Sequence, residues 1–286
     1  MLLGTIIANE IRRIITPSMK FLFLPAMLLV LICSCTQKPK HPQAAIINRN
    51  IPAAMTEQQI LNFADSIHAN QANFQKHSSL VYQRDGTSFN VEKFSSNGTA
   101  VLFKTLRDSA GMSRSNSDYY FNGDSLILIR ENRRKNTQTG EVLEEKRTYL
   151  RNNIAFKTET RTGISASGLL QQRFTTTKQA DQSNKTFKHI IDEINDAMSG
   201  SNEFALVFDN FISSPGEQYI VLKSSIPNGF SASISVGERD QFIDSLIADP
   251  LHFKDQKLSF RWIIKNREAV YVPVASKTTS ANGLKR

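Results

Sequence analysis

DYYFNGDSLILIR, residues Asp118 to Arg130, sets an aromatic-rich segment and an aliphatic one on either side of Asn122-Gly123. Asn-Gly suits a two-residue type I′ turn because both central positions need positive φ, so this stretch reads as an antiparallel hairpin. RTYLRNNIAFKTE, Arg147 to Glu159, follows the same plan around Asn152-Asn153. From Leu80 to about Thr177 further turn dipeptides, Asp85-Gly86, Asn97-Gly98 and Thr139-Gly140, punctuate short alternating segments. The series predicts a meandering antiparallel sheet. The two look-alike hairpins support its register but are too short to define a repeat architecture.

Helical spacing flanks the meander on both sides. Ile60, Phe63, Ile67 and Phe74 predict a helix over about Thr56 to Phe74, with Thr56 and Gln59 placed as a capping box. Phe187, Ile190, Ile191, Ile194 and Met198 predict another over about Asn184 to Met198, ended by Gly200. Its Asp192, Glu193 and Asp196 mark the polar face and read as solubilising rather than as an acid–base pair. His68 and His77 are nine residues apart, which supplies no i, i+4 metal pair.

Between the look-alike hairpins, Arg130, Arg133, Arg134 and Lys135 face Glu144, Glu145, Lys146 and Arg147 across a turn. A phosphate or acidic-glycan patch is one reading; cross-strand charge pairing on a solvated hairpin is the stronger.

The last ninety residues predict strands over Glu203 to Ile212, Gln218 to Lys223 and Phe230 to Val236, and a helix over Asp240 to Ala248. Strands over Lys257 to Ile264 and Glu268 to Val274 follow, joined at Asn266-Arg267. Three strands, a helix and two strands resemble the element order of an OB-fold, a small Greek-key barrel. That resemblance is of order alone, and it implies a face that stacks sugars or bases. Leu258, Phe260, Trp262 and Ile264 alternate as a buried strand face requires, which leaves Arg261, Lys265 and Tyr271 as the candidate contacts for an anionic ligand.

The N-terminal region carries an address. FLFLPAMLLVLIC, Phe21 to Cys33, is thirteen residues without a charge, shorter than the roughly 20 a membrane-spanning helix needs and matched to a signal-peptide core. Lys20 supplies the positive charge ahead of it, and Met19 is an alternative initiator to Met1. Ile32, Cys33, Ser34 and Cys35 resemble the lipobox of bacterial lipoproteins: an aliphatic residue, a tolerant position, a small residue, then cysteine. The resemblance implies cleavage between Ser34 and Cys35, with Cys35 carrying a thioether-linked diacylglycerol and an acylated amine. Several chains hold far better than one, since each buried CH₂ contributes about 0.8 kcal/mol and a single myristoyl chain binds marginally. Residues 36–54, TQKPKHPQAAIINRNIPAA, hold three prolines and no periodic pattern and read as a tether. Thr36 to His41 holds no acidic residue, which points to the periplasmic face of the outer membrane.

Composition closes off several chemistries. Both cysteines of the chain, Cys33 and Cys35, lie in this N-terminal region, so the body has none for disulfides, thiolate metal sites or a nucleophile. Cutting before Cys35 removes three of 35 Lys and Arg and one of 26 Asp and Glu, leaving 32 against 25, or +7. A bias of that size favours loose contact with anionic surfaces; specific nucleic-acid binding is not expected. No phosphate-cradling glycine motif or H-E-x-x-H occurs. GISASG, Gly163 to Gly168, places Ser167 where a nucleophile elbow needs its second glycine, and reads as a loop between strands.

The expected protein is α+β. A signal peptide (1–34) and lipidated tether (35–54) precede a meandering antiparallel sheet with packing helices (55–200), a small barrel-like module (201–276) and a disordered tail (277–286). It is expected to be an envelope lipoprotein with a non-enzymatic binding or scaffolding role, without cofactor, metal or catalytic residue. Its partners are the membrane, through the anchor, and an anionic envelope component. A hydrolase of envelope polymers and an OB-type oligosaccharide or nucleic-acid binder are the rivals.

Overall fold

The computed structural model describes residues 55–177 and 184–274, leaving aside the side chains of 184–186. The signal segment, Ser34, Cys35, the tether and the 277–286 tail lie outside the described residues. Strands β1 (Gln75–Ser78), β2 (Tyr82–Arg84), β3 (Thr87–Ser96), β4 (Thr99–Ser109), β5 (Ser113–Asn122), β6 (Ser125–Thr137), β7 (Gly140–Arg151), β8 (Ile154–Gly163) and β9 (Thr175–Thr176) form the meander. After it come β10 (Leu206–Ser214), β11 (Glu217–Ser224), β12 (Ser231–Ser235), β13 (Arg261–Lys265) and β14 (Glu268–Val272). The helices are α1 (Glu57–Ala69), α2 (Ala166–Gln171), α3 (Asn184–Ser199), α4 (Gln241–Ala248) and α5 (Pro250–Phe253). The chain is thus α+β, with a large and mostly antiparallel open sheet.

The opening hairpin shows why the sheet has helices on both faces. Tyr119, Phe121, Leu126 and Ile129 join a core with Phe187, Ile194 and Ala197 of α3. Tyr120, Ile127 and Leu128 join a second core with Ile60, Ala64 and Ile67 of α1. Apolar runs such as YYF and LILI arise because neither side of these strands meets water.

Three hairpins, β3–β4, β5–β6 and β7–β8, are built alike. Each has a two-residue turn, at 97–98, 123–124 and 152–153, and each register slips once, skipping Val101, Ile127 and Phe156 respectively. The skipped residue is always the third after the turn. Phe94, Tyr120 and Tyr149, each three residues before the turn, pack with it against α1. The bulges add local twist in one row across the sheet, and α1 lies on that row.

Turn chemistry follows expectation at Asp85-Gly86, Asn97-Gly98, Asn152-Asn153 and Asn266-Arg267, where both central residues have positive φ. It differs at two places. Asn122 pairs with Ser125 as the end of β5, and Gly123-Asp124 makes the turn with only Gly123 at positive φ. Thr137 pairs with Gly140, so Gln138-Thr139 are the loop and Gly140 follows at φ 120°.

α1 begins at the expected capping box, with Gln59 N donating to Thr56 Oγ1 and Thr56 N to Gln59 Oε1. It stops at Ala69, short of Phe74, because a 3₁₀ turn over Gln71–Asn73 leads into β1, which pairs with β3. GISASG also differs from a plain loop. Ser165 caps the short helix α2 by accepting from Gly168 N at 3.0 Å.

The C-terminal strands keep the expected element order, but they do not stand apart. They link as β10-β11-β12-β14-β13, with β12 and β14 parallel, and Phe208 exchanges backbone hydrogen bonds with Asp255 and Gln256 just ahead of β13. The first half of β12, Ser231 and Ala232, also pairs with β2. One sheet and one core therefore run across the boundary expected at residue 200. Tyr82 stands at this seam, its hydroxyl donating to the Ala197 carbonyl at 2.9 Å and its ring edge-on to Phe204.

Candidate functional site

The three candidate contact residues do not share a surface. Tyr271 is buried, 4 % exposed, and its hydroxyl donates to Asp240 Oδ2 at 2.6 Å. Burial and that carboxylate push the phenol upward, so Tyr271 serves as the partner of the α4 cap rather than as a ligand contact. Arg261 and Lys265 are exposed on β13. Lys265 stands opposite Glu268 in the register.

Arg261 opens onto a groove of about 1000 Å³ between the β1 edge, the C-terminal end of α3 and β13. Lys76, His77, Lys93 and Arg261 bring basic groups to it, and Met198, Phe260, Trp262 and Ile263 give it apolar walls. No Asp or Glu lines it among the described residues. Lys76 is held by Glu92 at 2.6 Å, whereas Arg261 and Lys93 have no carboxylate partner among the described residues. The walls are set by packing. Trp262 and Phe260 turn toward the core, and Trp262 Nε1 donates to the Ser79 carbonyl at 3.2 Å, fixing β13 against the start of the meander.

A second concavity, of about 580 Å³, lies on the α1 side of the sheet and was not visible in the sequence. Two cross-strand rows floor it. Asn90, Leu106, Asn116 and Asn132 are paired in sequence across β3 to β6, and Glu92, Lys104 and Asp118 form the next row, which Arg130 continues outside the concavity. His68 of α1 and the β13–β14 turn, with Ile264, Asn266 and Arg267, complete the wall. Burial pushes the Asp118 carboxyl up, opposed by Lys104 at 3.9 Å and the Tyr120 hydroxyl at 3.3 Å. Residues as far apart as 68, 90, 132 and 267 meet here, and only the strand register could have revealed it.

Several other charged groups are held in ion pairs or over aromatic rings. Glu193 of α3 takes an ion pair from Arg107 at 2.6 Å, whose guanidinium also lies 4.0 Å from the Phe89 ring centroid. On the long hairpin, Arg133 pairs with Glu131 at 2.8 Å and Arg134 with Glu141, and Arg147 lies 3.9 Å from the Phe174 ring centroid. Ser165 is engaged as a cap. Among the described residues no three His, Cys, Asp or Glu are placed to hold a metal ion. No helix among them is long and apolar enough to cross a membrane. Compared with known families, curated proteins and solved structures, the chain matches none of them.

Proposed function

We propose that this chain is a lipid-anchored envelope protein, held through Cys35 at the periplasmic face of the outer membrane, whose body binds an anionic envelope component without chemical turnover. The observation that carries the binding role is the groove at Arg261: cations and aromatic walls, with no acidic residue in its lining and no carboxylate on Arg261 or Lys93 among the described residues. An anion entering it gains from Arg261 and Lys93 without displacing an existing ion pair, and the apolar walls suit the carbon skeleton that carries the anion.

Two measurements test the two halves of the proposal. For the anchor, Cys35→Ala is expected to release the protein from membranes washed in high salt; retention equal to wild type sinks it. For the groove, full-length protein in detergent is titrated with an acidic polysaccharide and with a neutral one of the same length. Binding is expected for the acidic polymer, weakening as salt screens the contact and falling further in Arg261→Glu. Equal binding of both polymers, or no effect of the substitution, counts against it. The rival hydrolase reading draws on His68, Glu92 and Asp118 sharing one pocket, and release of reducing ends from an envelope glycan, abolished by Asp118→Asn, would favour it instead.

A further inference from the structure

From the second concavity we infer a saccharide-binding site: the pocket across β3 to β6 takes a neutral sugar of one or two rings, separately from the anion groove. A pocket of about 580 Å³ lies within the range that small ligands occupy, yet its lining is polar where most such pockets are apolar. The ligand must therefore be polar over much of its surface.

Three amides define what kind of polarity is wanted. Asn90, Asn116 and Asn132 lie in one cross-strand row, each on a different strand. An amide offers both a donor and an acceptor, which matches hydroxyl groups that also do both. Asn90 is the informative member. It is only 8 % exposed and lines the pocket, yet its side chain has no hydrogen-bond partner among the described residues. Its amide atoms are not sealed off, so they stay open to a hydrogen bond with whatever enters the pocket.

Charge argues against an ionic ligand. In the neighbouring row Glu92, Lys104 and Asp118 alternate in sign, with Lys104 3.9 Å from Asp118 and Glu92 held by Lys76 at 2.6 Å. Arg267 at the rim is 3.7 Å from Asp108. Lys104 and Arg267 here already face carboxylates, unlike Arg261 and Lys93 of the groove. Leu106 on the floor and Ile264 on the opposite wall supply the apolar surface on which the C–H face of a sugar ring can rest.

The test uses full-length protein in detergent, screened against neutral mono- and disaccharides and their uronic-acid counterparts, with the best binder titrated calorimetrically. Asn116 and Asn132 are exposed and make no side-chain hydrogen bond among the described residues, so Asn116→Ala with Asn132→Ala should fold, and circular dichroism checks that it does. A neutral saccharide is expected to bind, and the double variant to bind it roughly tenfold more weakly or worse, two lost hydrogen bonds being enough for that. Arg261→Ala, in the groove, is expected to leave the affinity unchanged. Absence of binding by every neutral saccharide at millimolar concentration, preference for the uronic acid, survival of binding in the double variant, or loss of it in Arg261→Ala would each overturn the inference. The two readings are told apart by the variants: the groove's acidic-polymer binding is expected to fall in Arg261→Glu and to persist in the Asn116→Ala, Asn132→Ala double variant, the reverse of the neutral saccharide.

Discussion

Two aspartates show how a single side chain's surroundings set the sign of its effect. Asp240 caps α4 and accepts from Ile243 N at 3.1 Å, Val274 N at 2.9 Å and the Tyr271 hydroxyl at 2.6 Å. Burial works to raise its pKa, but these donors outweigh it and hold the carboxyl below the ordinary value of 3.8. A carboxylate favoured by the fold stabilises it above the unfolded pKa and loses that contribution as pH falls through the folded one. Asp240→Asn is therefore expected to be less stable than wild type at pH 7, with the gap closing as the pH is taken below about 4, as urea denaturation across that range would show. Asp118 is the opposite case: burial outweighs Lys104 and Tyr120, and its pKa lies above 3.8. Charging it costs the native state stability as pH rises through the unfolded and then the folded value. Asp118→Asn should accordingly raise the melting temperature at neutral pH and lose that advantage in acid. A lower melting temperature at pH 7 would mean that the Lys104 pair, not burial, governs the site.

At the scale of elements, the hairpin turns carry the register. Asn97 and Gly98 sit at φ 49° and 80°, and a Cβ on Gly98 would meet nothing within 4 Å. Gly98→Ala thus isolates conformational cost from steric clash, and about 1–2 kcal/mol of destabilisation is expected in chemical denaturation. Gly163 differs, since its Cβ would lie 2.7 Å from the Leu169 backbone and would push α2 off β8. These elements also mark how far the sequence could be read. Asn97-Gly98 and the Thr56 capping box are local, and local chemistry placed them, whereas the turn expected at Asn122-Gly123 lies one residue on, at Gly123-Asp124. The bulges at Val101, Ile127 and Phe156 were not read from the sequence: two hairpins looked alike, but the likeness spoke only for their pairing, and the third shares little more than its turn and its spacing. The second concavity was not legible at all. Its amides come from strands whose neighbours are fixed by hairpin register, and its outer wall from residues 264–267, brought over by long-range pairing. Tyr271 was misplaced for a related reason. Alternation identified the inward face of β13, but which face of β14 was inward depended on its pairing to β12.

Over the whole molecule, the question left by the sequence is whether residues 201–274 form a barrel of their own or belong to the meander. β12 hydrogen-bonds β11 along one edge and, on the other, β2 through its first half and β14 through its second, and the core from Phe89 to Tyr271 is continuous. Trp262, the one tryptophan, donates to Ser79 across the same seam. Splitting the halves would expose Tyr82, Phe204 and Phe230, whose rings pack at centroid distances of 4.4 to 5.9 Å, so neither half keeps its apolar surface covered alone. The two halves should then unfold together. Leu128 is fully buried under α1, in the core that contains no residue of β13. Leu128→Ala removes side-chain volume there and is expected to cost about 2–5 kcal/mol. In a cooperative molecule the midpoint of Trp262 fluorescence must shift by the same amount as that of the far-UV sheet signal, although the substitution touches nothing near the tryptophan. A Trp262 transition that stays at its wild-type midpoint while the sheet signal moves would show that the C-terminal strands fold as a separate unit, joined to the meander only by the short β12–β2 pairing.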